Sequence, residues 1–583
     1  MAIFDVRFAV LAAALAASSS AFALPPIGSE DVSIADPDIP PPSSEPCIVP
    51  LFDEFTFIGF DAQAFDYAPP DDCPGPWEKV VLRADFDVTA GRQFDRTAAI
   101  WLGGANIYFG TTEEPRAAVA PTWHIERDLT DYSVLFTAAH AGRVDLGNLV
   151  DDTYTGIIHG SASLAFYPRV PSDFDVRPRP DVVRALAADE SGGTVALASP
   201  DDKLAVTFAL PRNIRRAFLD VIVEAQGGDE FWYLCVPDDL ADELFSCPGT
   251  GYRVADVTVD GIVAGVAPIY PWIYTGGIDP GLWRPSPGIQ ALAFEPYRVD
   301  LTPYAAWLGS GQPHEVAVHL FNARDHFSAT ANLLLYLDHG ADEVDGELTM
   351  NTLELPSYET SNDLTTHGSD ISGTVSVASS RSFSIEGYVD TSDGRVTTNV
   401  TQQIEFSNAQ TFDIVGDDYR QRLQQTTTID STTTVAGKDY SHVVTEHREW
   451  PLAIDYAFDA AEDGSATQVT TIEQGLSRSA EFGIDGYEPR GAALVQTMHA
   501  SDTLLFDTGG NATGRTDQSS EQSYSYADAY GACYSRTIET SAGALTGVTD
   551  GADCPNGINA LSWFDAFANT GSLVFGATLQ ILP

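Results

Sequence analysis

Residues 80–88 read Val-Val-Leu-Arg-Ala-Asp-Phe-Asp-Val, and their spacing decides the fold class. Val80, Leu82, Ala84, Phe86 and Val88 fall on one face of an extended chain; Arg83, Asp85 and Asp87 fall on the other. A period of two belongs to a strand with one face in an apolar interior and one in water. The pattern recurs in LAVTFAL (204–210), FLDVIVEA (218–225), YRVADVTVDG (252–261) and HEVAVHLF (314–321), while NLLLYLD (332–338) is almost wholly apolar. Val, Ile, Phe and Tyr dominate these runs, and Gly, Pro, Asp and Asn separate them. No long stretch carries a 3.6-residue period. The chain is predicted to be all-β, with two antiparallel jelly-roll or β-sandwich domains.

A proline-rich break, YPRVPSDFDVRPRPD (167–181), divides the strands into domains at 51–175 and 176–344. Beyond residue 345 Thr, Ser and Gln rise, as in QQTTTIDSTTTV (424–435), yet alternation persists in SFSIEGYVD (382–390), TTNVTQQIEF (397–406) and YSHVVTEHREW (440–450). Residues 345–583 therefore read as a β-rich accessory region of long twisted strands, with Thr expected on exposed faces. Residues 24–50, rich in Pro, Ser and Asp, read as an extended linker that packs on something else or stays loose. Arg7, the apolar run 8–17 and the small-x-small site Ala21-Phe22-Ala23 form an export signal over residues 1–23. The apolar run is too short for a membrane span, which needs about 20 residues. A secreted or periplasmic chain beginning at Leu24, with no membrane association, is the expectation.

Asp and Glu number 83 against 30 Lys and Arg, a net charge of −53. That field repels phosphate backbones and excludes nucleic acid as a partner. The excess fits solubility, a salty habitat or an acidic workplace equally well. The six cysteines fall in three near-neighbour pairs, Cys47 with Cys73, Cys235 with Cys247 and Cys533 with Cys554. Export favours disulfides, and proximity selects this pairing from the fifteen possible. With no CxxC or His-rich cluster, no structural zinc site is expected.

Three constellations carry chemistry. In the first, Gly91-Arg92-Gln93-Phe94-Asp95-Arg96 runs into the apolar strand AAIWLGG (98–104). An Asp-Arg pair at the mouth of a buried strand is costly unless solvated or partnered; its plain alternative is an ion pair closing a sandwich. In the second, Asp229-Glu230 precedes Phe231-Trp232-Tyr233. Aromatic rings raise a carboxyl pKa by desolvation and also stack on sugars; the plain alternative is a surface turn before a strand. In the third, YTGGIDP (274–280) and Leu282-Trp283-Arg284-Pro285 form a loop holding one Trp and one Arg, where the alternative is a loop folded on its own tryptophan. No GxSxG elbow, HExxH helix or P-loop is present, and His124, His159 and His314 lack companion ligands. What remains is chemistry by carboxyl groups, without metal or cofactor.

These segments resemble the peptide:N-glycanase A family. GRQFDRTAAIWLGG, TTEEPR, IERDLTDYSVLF, LGNLVDDTYTGIIH, LAFYP, DEFWY, YTGGIDPGLWRP, VDLTPYAAWL and ANLLLYLD occur in the family's order over residues 79–338. The resemblance implies a core of two jelly rolls. It also implies hydrolysis of the amide between asparagine and the first N-acetylglucosamine, with N-linked glycopeptides or glycoproteins as partners. The related F-type enzyme has its catalytic aspartate in a Trp-Asp-Arg-x-Ala segment, which Phe94-Asp95-Arg96-Thr97-Ala98 matches with Phe for Trp. Asp95 is accordingly the principal catalytic candidate. Glu230 matches an essential glutamate, with Asp229 beside it as the competing assignment.

A third carboxylate of the F-type enzyme falls where Asn148 stands here. Arg96, Asn148, Asp229, Trp232, Trp283 and Arg284 are the substrate-binding candidates, with Trp283 expected to stack on sugar. Asp95 activating water and a protonated Glu230 serving the sugar or the leaving amine is one division of roles; the reverse is equally open. A monomeric enzyme with an acidic optimum is expected. A glycan-binding sandwich without catalysis and a carboxylate glycosidase cleaving between sugars are the alternatives.

Overall fold

The computed structural model describes residues 24–169, 178–484 and 489–562. The export signal and the boundary at 175/176 lie outside them. Eight strands come first: β1 (Cys47–Phe57), β2 (Gln63–Tyr67), β3 (Trp77–Val88), β4 (Thr97–Leu102), β5 (Ala105–Thr111), β6 (Thr122–Asp128), β7 (His140–Leu146) and β8 (Ile158–Pro168). They form two four-stranded sheets, ordered β1-β8-β3-β6 and β2-β7-β4-β5, and every pairing is antiparallel. First beside last and third beside sixth is the winding of a jelly roll. Leu82, Ala84 and Phe86 of β3 face the core with Ile100, Ile107, Ile125 and Leu164, as the alternation of residues 80–88 requires.

The winding repeats in β9 (Val182–Ala185), β10 (Val195–Leu197), β11 (Lys203–Ala209), β12 (Ile214–Gln226), β13 (Val254–Val259), β14 (Ile262–Pro268), β15 (Tyr297–Asp300), β16 (Pro313–Phe321) and β17 (His326–Leu337). The sheets are β10-β17-β12-β15, with β9 also on β17, and β11-β16-β13-β14. The apolar run in β17 has a physical reason. Leu333 and Leu335 pack into the core of the second jelly roll, whereas Leu334 and Tyr336 pack into that of the first. A strand buried on both faces has no polar face to alternate with.

The remaining strands are β18 (Asp345–Asn351), β19 (Glu359–Asn362), β20 (Thr365–His367), β21 (Asp370–Thr391), β22 (Gly394–Val415), β23 (Asp418–Ala436), β24 (Ser441–Ala460), β25 (Ala466–Ile484), β26 (Arg490–Phe506), β27 (Ala512–Asp528), β28 (Cys533–Ser541) and β29 (Ala544–Asp550). They build one sheet in which β21 to β29 meander in chain order. Phe383, Phe406, Leu423, Trp450 and Leu476 join the core of the second jelly roll. Between them stand buried glutamines and asparagines, whereas the sequence pattern pointed only to exposed Thr. A buried amide left unpaired costs about 1–3 kcal/mol, so these side chains must find partners. They find backbone: Asn408 Nδ2 donates to Tyr233 O (2.8 Å), Gln410 Nε2 to Cys235 O (3.0 Å) and Gln474 Nε2 to Pro271 O (2.9 Å).

The Pro/Ser/Asp-rich segment is an ordered strap. Gly28 N and Leu545 O pair at 2.8 Å, Ile39 N donates to Glu126 Oε2 (2.7 Å), and Ser33 and Ala35 are buried. The first strand begins at Cys47, inside the stretch read as linker. All three near-neighbour cysteine pairs are disulfides.

Candidate active site

The hairpin β4–β5 brings the first acidic groups together. Thr97 pairs with Thr111, so the residues just before β4 and just after β5 leave the sheet side by side. Two bonds prolong the pairing, from Thr112 N to Arg96 O (2.8 Å) and from Arg96 N to Thr112 Oγ1 (2.9 Å). Asp95 therefore lies against Glu113 and Glu114, and its amide approaches Glu114 Oε2 at 3.4 Å. The long loop after β14 closes over them. Thr275 Oγ1 donates to Thr112 O (2.6 Å), and Gly276 N donates to Asp95 Oδ2 (3.0 Å). A Cβ at residue 276 would stand 2.4 Å from Glu114 Oε2 and 2.7 Å from Asp95 Oδ1, so only glycine allows this approach.

The second jelly roll supplies two more carboxyl groups at the end of β12. Glu224 is buried, and its Oε2 accepts from Gln226 Nε2 (2.8 Å). Glu230 follows one short turn later. Its neighbour Asp229 points the other way. Asp229 Oδ1 accepts from Arg253 (3.0 Å), and Oδ2 accepts from the backbone amides of Arg324 (2.9 Å), Asp325 (2.7 Å) and His326 (3.2 Å). Asp229, 1% exposed and bonded through both oxygens, is thus the anchor that aims Glu230.

Burial and mutual repulsion set the protonation of the cluster. Burial, then the Asp95 charge, pushes Glu230 up to about 7 and Glu114 up to about 7. Burial pushes Glu113 up to about 8, against the opposing pull of Arg284. Burial likewise pushes Glu224 up to about 8. Asp95 is also raised by burial, but the Gly276 amide and the Arg96 charge hold it down. Glu230 has no such counterweight. The arrangement keeps Asp95 the readier to ionise and Glu230 the readier to hold a proton.

Several sequence-selected residues stand behind the site rather than in it. Trp283 is 0% exposed and its Nε1 donates to Gly277 O (2.8 Å); Trp232 is 2% exposed. Neither offers a face to a sugar, which corrects both expectations: their size makes them core. Asn148 is buried, donating to Phe57 O (2.9 Å) and accepting from Gln93. Gln93 Oε1 in turn accepts from Arg96 (3.1 Å), so Asn148, itself fully buried, supports Arg96 from behind.

Arg284 Nε donates to Glu114 O (2.6 Å), and its guanidinium lies 3.6 Å from the Glu114 carboxylate. Phe94 does reach solvent: it is 37% exposed and packs on Tyr154 at 4.9 Å between centroids, with Arg92 and Arg96 over its faces.

Glu113, Glu114, Glu224 and Tyr154 were missed as site residues. Two signals were available. TTEEPR sets two adjacent carboxylates at the end of a strand, and Glu224 is, with Asp220, one of two carboxylates that interrupt the apolar run of β12. Among the described residues no group of three or more His, Cys, Asp or Glu is arranged to hold a metal ion.

Residues 41–353 match the family described as peptide N-acetyl-beta-D-glucosaminyl asparaginase amidase A, and residues 374–452 match the PNGase_A C-terminal domain. Peptide-N4-(N-acetyl-beta-glucosaminyl)asparagine amidase A of Prunus dulcis is 29% identical over 523 residues, 86% of this chain and 89% of that one. Among solved structures, PNGase F, a glycosylasparaginase from Flavobacterium meningosepticum, is 11% identical with a TM-score of 0.33, covering 50% of this chain and 96% of its own. PNGF-II is 11% identical with a TM-score of 0.35, covering 51% and 66%.

Proposed function

The chain belongs to the peptide N-acetyl-β-D-glucosaminyl asparaginase amidase A family, and from that premise we propose how its carboxyl groups divide the reaction. It is an amidase that hydrolyses the bond between asparagine and the innermost N-acetylglucosamine of an N-glycan, converting Asn to Asp. Its substrates are N-linked glycopeptides and glycoproteins.

The observation that carries the division is the unequal environment of two carboxyl groups. Asp95 holds a backbone hydrogen bond and a neighbouring Arg, whereas nothing offsets the burial of Glu230. Asp95 acts as the base. It takes a proton from a water molecule as the water oxygen attacks the amide carbonyl carbon. Negative charge then collects on the carbonyl oxygen. The Arg96 guanidinium, half-buried beside Asp95, is the cation that stabilises that oxygen. Glu230, still protonated near neutrality, gives its proton to the amide nitrogen as the C–N bond breaks. The glycosylamine leaves, and the new carboxyl group is aspartate.

Phe94 and Tyr154 offer the apolar surface for the first sugar in place of the two buried tryptophans. The chain works as a monomer in an exported compartment, after removal of residues 1–23.

A defined glycopeptide incubated with the purified protein at pH 5 and pH 7 tests the reading by mass spectrometry. A free glycan and a peptide with Asp for Asn is the expected outcome. A peptide that keeps one N-acetylglucosamine would replace the amidase reading with a glycosidase.

A further inference from the structure

The carboxy-terminal sheet reaches the loop over Asp95 without adding a carboxyl group to the acidic cluster. Among the described residues it holds the 271–289 backbone and Asp279, and Gly475 O accepts from the Tyr270 hydroxyl just before that segment (3.3 Å). Gln474 grips both ends: its Nε2 donates to Pro271 O (2.9 Å) and its Oε1 accepts from Ile289 N (3.0 Å). Gln518 Nε2 donates to Arg284 O (2.9 Å) and Gln522 Nε2 donates to Pro287 O (3.0 Å). The strap adds a bond from Ser33 N to Pro285 O (3.0 Å).

At the centre stands Arg515 of β27, which donates to Asp279 Oδ1 (2.7 Å) and also pairs with Asp502 of β26. Both carboxylates are buried. Asp502 falls where the register of β26 on β27 shifts, between Ser501 and Thr503. Such a bulge re-aims a side chain out of the regular alternation. Asp279 is the residue that caps the turn Pro280–Trp283, accepting from Gly281 N (2.9 Å). A Cβ on Gly281 would collide with the Arg515 guanidinium, so glycine here is the counterpart of the arginine.

We propose that the carboxy-terminal sheet is a positioning device for the reaction, in which Arg515, fixed by Asp502, clamps Asp279 so that the loop presents the Gly276 amide to Asp95. This rests on Asp95 being the base of the amidase. Without the clamp, two buried carboxylates face each other unpaired. The loop must then shift, and the Gly276–Asp95 bond loosens with it.

The test uses the full chain, with Arg515→Met, Arg515→Lys and, against the risk that the first does not fold, Gln518→Met. Hydrogen exchange over residues 273–289 is read beside kcat and KM on a glycopeptide. Arg515→Met is expected to speed exchange in that segment and lower kcat by about 10- to 100-fold, the effect of a misplacement near 1 Å, with KM little changed. Arg515→Lys keeps the charge and is expected to recover much of both. Folded Arg515→Met and Gln518→Met proteins with wild-type exchange over 273–289 would overturn the clamp. Faster loop exchange in a protein whose wild type does not cleave glycopeptides would leave the clamp standing and overturn the amidase reading instead.

Discussion

Asp95 and Gly276 are separated by 181 residues, yet one hydrogen bond of 3.0 Å joins the Asp95 carboxylate to the Gly276 amide. It crosses from one jelly roll to the loop of the other and lies within a cluster of buried acids. Adding a methyl group at residue 276 would drive it into both Asp95 and Glu114. Gly276→Ala is expected to reduce kcat by about 100-fold or more, in line with losing an oriented catalytic contact. Its melting temperature should stay within a few degrees of wild type. A fully active Gly276→Ala protein would show that the loop does not orient Asp95.

Asp95→Asn keeps the shape and removes the proposed base. Turnover should fall by at least about 10³-fold, the scale of deleting a principal catalytic group, with circular dichroism unchanged. Retained glycan release in the folded variant would take Asp95 out of the reaction.

If Glu230 delivers the proton, activity depends on its protonated form. With its carboxyl pushed up to about 7, kcat should decline as pH rises through neutrality. Glu230→Gln should lower kcat and abolish that decline. A rate that rises steadily from pH 6 to 9 would rule out the assignment.

Sugar contact is expected at the rim, not at the buried tryptophans. Phe94→Ala should raise KM by about 5- to 20-fold, roughly 1–2 kcal/mol for a lost aromatic contact, with little change in melting temperature. Trp283→Phe should do the opposite, because Trp283 is core and its indole N–H would no longer meet Gly277 O. Glycopeptide kinetics and thermal melts on the two variants separate these roles.

The acidic cluster also makes stability depend on pH. Glu113 (about 8), Glu114 (about 7), Glu224 (about 8) and Glu230 (about 7) all titrate above the ordinary 4.5 in the folded chain. Their contribution is whole below 4.5 and is lost as pH rises through 7 and 8, because the folded state then holds protons that the unfolded state has released. His124, raised to about 9, adds a loss between 6.5 and 9. Glu446, lowered to about 2 between Arg448 and Arg478, acts at the other end, losing its contribution as pH falls from 4.5 toward 2. The melting temperature should therefore be higher at pH 5 than at pH 8, and Glu224→Gln should flatten the difference. Equal melting temperatures at the two values would contradict the burial of these acids.

Sequence alone determined the fold class. Side-chain period is a local property, and residues 80–88 display it without help from the rest of the chain. The sequence singles out Asp95 and Glu230 as candidates for a related reason, since each stands in a short segment whose neighbours carry the resemblance. Which side chains meet across the molecule was left to tertiary structure. Asp229 and Glu230 are adjacent and chemically alike, and only the buried Arg253 and three amides from residues 324–326 turn one inward. Trp283 reads as a sugar platform until packing removes its last exposed face. Arg515 reads as one more surface arginine on a Thr- and Ser-rich strand until the bulge at Asp502 shows what it holds. Such roles depend on pairs from 24 to 236 residues apart, and only the closed fold sets how deeply each charge is buried.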